Sequence, residues 1–114
     1  MAVAMFVRSP KLGRDQYDRL IARLDLDANP PFGQLLHIGV ERESRVDIIE
    51  LWQTAAAGLG YVEHRLAPGL DAIGAGEPEV ELVALHNVFA PDLDAIGFIG
   101  GVSLPAYVAG AALP

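Results

Sequence analysis

The sequence predicts an α+β domain with the element order β-α-β-β-α-β. Three observations carry this. Short apolar or alternating runs occur at Ala2–Val7, Gln34–Glu41, Arg45–Trp52 and Glu79–Phe89. Two stretches with helical spacing, one after Gly13 and one from Thr54 to about Ile73, separate the first run from the second and the third from the fourth. Clusters of Gly, Pro, Asn, Asp and Ser fall at the joints.

Ala2–Val7 is a short apolar run closed by Ser9-Pro10, the pattern of a buried strand. Gly13 stands as N-cap of the first helix. Tyr17, Leu20, Ile21 and Leu24 recur at i, i+3, i+4 and i+7, one apolar stripe, with Asp18, Arg19 and Arg23 on or beside the wet face. Asn29-Pro30-Pro31 stops the helix, because proline biases the residue before it away from helical backbone.

Gln34–Glu41 and Arg45–Trp52 flank Arg42-Glu43-Ser44, a hairpin turn. Leu36, Ile38 and Val40 share one face of the first strand, and Leu35, His37 and Gly39 the other. In the second, Val46, Ile48, Glu50 and Trp52 alternate with Asp47, Ile49 and Leu51. Both faces carry apolar residues, so both bury something. Thr54 caps the second helix, whose stripe is Tyr61, Val62, Leu66, Leu70 and Ile73. Gly58 and Gly60 weaken its first turns by about 1 kcal/mol each relative to alanine. Pro68 is expected to kink or split it. Glu79–Phe89 alternates as the last strand.

This order is the split β-α-β arrangement of ferredoxin-like folds, with both helices on one face of a four-stranded antiparallel sheet. The opposite face stays bare in a monomer. Because it still carries apolar side chains, a homodimer formed through it is expected. The domain is read as residues 1–89. Residues 90–114 form an apolar tail, with Ser103 and Pro105 able to open a short helix or dimer arm.

Composition narrows the partners. Fifteen acidic against 8 basic residues leave a net charge of −7, which repels nucleic acid and anionic lipid. The absence of cysteine excludes disulfides and thiolate chemistry and fits a reducing compartment, so a cytoplasmic location is expected. No secretory leader is read at Met1–Val7, and the uncharged Ala95–Leu113 is too rich in glycine and alanine, and too interrupted by Pro105, to be read as a membrane span. Three dispersed histidines do not make a metal-ligand pair, and no phosphate-binding glycine loop follows a strand.

The chain resembles dimeric α+β barrel proteins, and among them the group that includes antibiotic-biosynthesis monooxygenases and many uncharacterised bacterial members. The carriers are the strand Ala2–Val7, the helix segment Arg14–Leu20, the step Ile48-Ile49-Glu50-Leu51-Trp52-Gln53-Thr54 and the ending His86-Asn87-Val88-Phe89. The Trp-X-Thr step from third strand into second helix is typical of the group. The resemblance spans Met1–Phe89 and implies a dimeric barrel that works without metal or nucleotide cofactor on a small hydrophobic or aromatic molecule. Known members also include haem-degrading enzymes, cyclases and proteins without known activity.

His37, mid-strand, and His86, at the strand end, are the candidate catalytic residues, since histidine moves protons near neutral pH. On the sheet edges of two copies they could form one composite pocket. Asn87 could hold a carbonyl or oxyanion, and Trp52, with Tyr61 or Phe6 near it, could wall a flat substrate. Glu50, on the face of Trp52, becomes a possible base if buried and a plain surface acid if solvated. His64, between Glu63 and Arg65, is placed on the wet side with no role. Two readings stay open, a cofactor-independent enzyme of monooxygenase or cyclase type and a non-catalytic dimeric binding or accessory module. A cavity of some hundreds of Å³ beside a histidine would favour the first.

Overall fold

The computed structural model describes residues 1–92; the apolar stretch from Ala95 and the helix expected after Ser103 lie outside the described residues. Strands β1 (Val3–Arg8), β2 (Gln34–Arg42), β3 (Arg45–Trp52) and β4 (Glu79–Ala84) form one sheet in the order β2-β3-β1-β4. All three pairings are antiparallel. This is the ferredoxin-like arrangement.

Helix α1 (Arg14–Leu24) begins at Gly13 and ends where Asp25 turns to φ 50° and donates its N–H to the Ile21 carbonyl. Arg65 holds that end, donating to the carbonyls of Leu24 at 2.6 Å and Asn29 at 2.7 Å. The Leu24 carbonyl is among the acceptors a helix C-terminus leaves free. Thr54 caps α2 (Ala55–Tyr61) by accepting the Ala57 N–H at 3.1 Å.

The second helical stretch is not uniform. A π-helical turn, Val62–Leu66, joins α2 to α3 (Ala67–Ala72), with the Ala67 N–H bonded to the Val62 carbonyl. Pro68, expected to kink or split the helix, sits in the first turn of α3, directly after the π-helical turn.

One face of the sheet takes the helices. Val3, Met5 and Val7 stand opposite Trp52, Glu50 and Ile48, and pack with Leu20, Leu24, Leu66 and Leu70. Burial of Leu20, Leu66 and Leu70 stabilises the layers by about 1.5–3 kcal/mol each. Gly58 is buried against Trp52: a Cβ there would lie 3.2 Å from the indole. The glycine that weakens the helix is what lets it sit on the tryptophan.

Three details differ from the sequence reading. First, β4 ends at Ala84 rather than Phe89. Among the described residues its one neighbour is β1, whose first residue Val3 pairs with Ala84, and beyond that point the Leu85 N–H finds an acceptor on Ala2. Second, Leu35 does not share a regular face with His37. A bulge between Gln34 and Leu36 leaves Leu35 unpaired and 52% exposed. Third, Arg42 pairs with Arg45, so the hairpin turn is only Glu43-Ser44, with Glu43 at φ 58°.

The opposite sheet face carries Phe6, Leu36, Ile38, Val40, Ile49, Leu51 and Val83, as the register requires. Ile38 (40%), Val40 (37%) and Val83 (45%) are exposed, and no described element covers them.

Candidate functional site

Three elements converge beneath the helix layer. On β2 and β3, His37 stands directly opposite Glu50, which brings two side chains on one face to about 5 Å between their Cβ atoms. The His37 Nδ1 lies 2.7 Å from Glu50 Oε2. Two residues on, and therefore on the same face, Trp52 donates its indole N–H to Glu50 Oε1 at 3.1 Å. From α1, Tyr17 brings its hydroxyl to 2.8 Å from His37 Nε2, its ring near-parallel to the imidazole.

The reason Tyr17 reaches this point is Gly39. Any Cβ at position 39 would lie 2.8 Å from the Tyr17 hydroxyl and its ring carbon. The chain Tyr17–His37–Glu50–Trp52 is thus built by α1 crossing an edge strand where that strand has no side chain.

Its burial is graded. Glu50 and Trp52 are fully buried, the His37 side chain is 14% exposed and Tyr17 is half-buried. Glu50 is therefore not on a solvated strand end. Both its oxygens are engaged, which is the condition for keeping a carboxyl group in an apolar core. Since a carboxylate only accepts, the network assigns the proton of neutral His37 to Nδ1, and Nε2 accepts from the Tyr17 hydroxyl. Burial, reinforced by Glu50 and Asp18, pushes the Tyr17 phenol up to about 12.

Behind Trp52, Tyr61 packs at 5.0 Å between ring centroids, with the Arg65 guanidinium 5.9 Å from the Tyr61 ring. Burial raises the Tyr61 phenol well above its ordinary range, Glu50 adding to the effect and Arg65 opposing it. The Tyr61 hydroxyl is buried without a hydrogen-bond partner among the described residues.

Of the residues singled out from sequence, His37, Glu50, Trp52 and Tyr61 come together. His86 and Asn87 do not join them. Both are exposed beyond the end of β4, on the sheet edge opposite β2. His64 is exposed, as expected. Tyr17, Gly39 and Arg65 belong to this region and sequence reasoning gave them no part in it. The available signal was Tyr17 itself, a phenol on the inward stripe of a helix.

Open clefts occur elsewhere among the described residues. One of about 440 Å³ lies between the α1 N-terminus and the β2–β3 hairpin, lined by Gln16, Glu41 and Ser44 among others. One of about 210 Å³ lies beside Arg23, Arg65 and Pro68. His37, Glu50 and Trp52 line neither. Among the described residues no group of three or more His, Cys, Asp or Glu side chains is placed to hold a metal ion. No helix among them is long and apolar enough to cross a membrane.

The fold is shared with small bacterial proteins of the antibiotic-biosynthesis-monooxygenase type. A protein of unknown function from Nitrosomonas europaea superposes with TM-score 0.63 at 22% identity, over 80% of this chain and 95% of that one. SnoaB, a cofactor-independent oxygenase from Streptomyces nogalater, superposes with TM-score 0.58 at 15% identity, over 80% and 98%. A proposed antibiotic biosynthesis monooxygenase from Chloroflexus aurantiacus gives TM-score 0.56 at 14% identity, over 79% and 98%. At these identities the likeness is one of fold. No family model and no curated protein matches the chain.

Proposed function

We propose that the chain is a cofactor-independent enzyme that removes a proton from a small hydrophobic, aromatic molecule, in the manner of a monooxygenase or cyclase, and that it works as a homodimer. The observation that carries this reading is the fully buried Glu50 bonded to His37, whose second nitrogen points toward a half-buried phenol. A histidine held in one tautomer by a buried carboxylate is suited to accept a proton, because the imidazolium formed meets a fixed counter-charge. The shared fold with a cofactor-independent oxygenase supports the same class.

The apolar open face supports the dimer. Phe6, Leu36, Ile38, Val40, Ile49, Leu51 and Val83, with Asp47 and Glu81 among them, make a mostly apolar side that a second copy would cover. His86 and Asn87 of that copy are then candidates to complete the pocket.

Hydroxyanthrones are suitable trial substrates. Loss of a proton from the ring methylene leaves a carbanion that molecular oxygen can convert to a carbonyl, releasing water. The test is oxygen uptake by purified, chelator-treated protein with 1,8-dihydroxyanthrone and related phenols. Uptake is expected to fall about 10²–10⁴-fold in a folded His37→Ala variant. Equal rates in variant and wild type would remove His37 from the reaction.

A non-catalytic ligand-binding dimer is the second reading. What favours it is that neither described cleft opens on His37. Saturable binding of the same phenols without turnover would select it.

A further inference from the structure

We propose that Tyr17 is the residue that meets the substrate, passing the substrate's proton to His37 through its own hydroxyl. The proposal rests on the reading of His37 and Glu50 as a proton-accepting pair and specifies how that pair is reached.

Both His37 nitrogens are occupied, Nδ1 by Glu50 at 2.7 Å and Nε2 by Tyr17 at 2.8 Å. Glu50 is fully buried, with its other oxygen held by Trp52. No position on either member of the pair is left for a ligand. The Tyr17 oxygen, in contrast, donates its single proton and keeps acceptor capacity.

It also lies against the edge strand of the sheet. Tyr17 is half-buried, and its hydroxyl lies over Gly39, an exposed position on edge strand β2. The buried Tyr61 provides the contrast. Its hydroxyl has no acceptor behind it among the described residues and is only 4% exposed as a residue.

The step balances without an oxidant. The substrate O–H or activated C–H bond breaks and its proton bonds to the Tyr17 oxygen. The Tyr17 O–H bond breaks and its proton bonds to His37 Nε2. The electron pair stays on the substrate as an anion, and the imidazolium faces Glu50. Tyr17 begins and ends neutral, which agrees with a phenol whose burial holds it protonated up to about pH 12. The fitting ligand is a weak acid conjugated to an aromatic ring, a phenol or an aryl ketone with an acidic methylene.

The probe is 4-nitrophenol, whose phenolate has its own visible band. Wild-type protein is expected to bind it and raise its ratio of ionised to neutral form about tenfold, one unit of its pKa. Nitrogen-labelled histidine followed by NMR should show His37 becoming protonated in the same complex. Tyr17→Phe, which keeps the ring, should bind nitrophenol without either signal. His37→Gln should also lose the phenolate band. If Tyr17→Phe keeps both signals while His37→Gln loses the band, the Tyr17 proposal is overturned and the pair stands. If His37→Gln keeps the band, or wild type shows no binding or no ionisation, the pair and the proposal fall together. The NMR arm needs only wild type and Tyr17→Phe, so it decides the role of Tyr17 even where His37→Gln fails to fold.

Discussion

The indole N–H of Trp52 and the carboxyl of Glu50, two residues apart on β3, are joined at 3.1 Å with both side chains fully buried. One carboxyl thereby serves two donors, Trp52 and His37, beside a core cluster of Val, Leu, Ile, Met, Ala and Tyr side chains. Replacing Glu50 with alanine strands both donors and opens a cavity, and is expected to cost about 3–5 kcal/mol of stability. Glu50→Gln keeps the volume and one acceptor, and should cost less, about 1–3 kcal/mol. Urea denaturation of the two variants checks the order.

Tyr17 supplies a prediction about alkaline pH. Its phenol is raised to about 12, first by burial, then by Glu50 and Asp18. An unfolded tyrosine ionises near 10. Between those values the folded state holds a proton that the unfolded state has lost, so stability falls as pH rises. The contribution is complete below pH about 10 and gone above about 12. Thermal melts of wild type and Tyr17→Phe across this window should converge as pH rises, and ultraviolet difference titration should show the missing high-pH phenol in the variant.

The two close-approach glycines should respond differently to alanine. At position 39 the obstructed group is the far end of Tyr17, which can swing aside. Gly39→Ala is therefore expected to cost only about 1 kcal/mol, the worth of one hydrogen bond, while the Tyr17 phenol returns toward its ordinary range. At position 58 the obstructed group is Trp52, fixed by Glu50 and Tyr61. Overpacking of about 1–3 kcal/mol should outweigh the gain in helix propensity of up to about 1 kcal/mol. Denaturation midpoints and the tyrosine titration together separate the two.

Charge on the open sheet face should expose the oligomeric state. Ile38→Glu lies away from the Tyr17–His37–Glu50 chain, on a face with no intramolecular cover among the described residues. If two copies meet there, sedimentation velocity at micromolar concentration should show wild-type dimers and Ile38→Glu monomers. A monomeric wild type would sink the dimer reading.

Much of the fold was legible because it follows from periodicity. The stripe Tyr17–Leu24, the Thr54 cap and the alternation of β3 each depend only on neighbours in the chain. The end of β4 was not legible, because it is set by where β1 begins. The alternation placed Glu50 and Trp52 on one face. That this face is dry depends on Leu66 and Leu70, which arrive over it from another element. Tyr17 was read for its ring alone. Its hydroxyl acquires meaning only when α1 crosses β2, a juxtaposition that spacing along the chain does not encode. Pro68 was read as a break, and the π-helical turn that absorbs it is an adjustment no local pattern announces.

The bulge at Leu35 bears on how this chain avoids misassembly. β2 is a nine-residue edge strand with Leu36, Ile38 and Val40 along one side. A regular strand of that kind would be a template for cross-β stacking with any passing copy. The irregular step after Gln34 breaks its row of free amides near one end, and Glu41 and Arg42 put charge at the other. A straightened Leu35-deleted variant should therefore form fibres sooner than wild type under agitation, even where its folded core is unchanged.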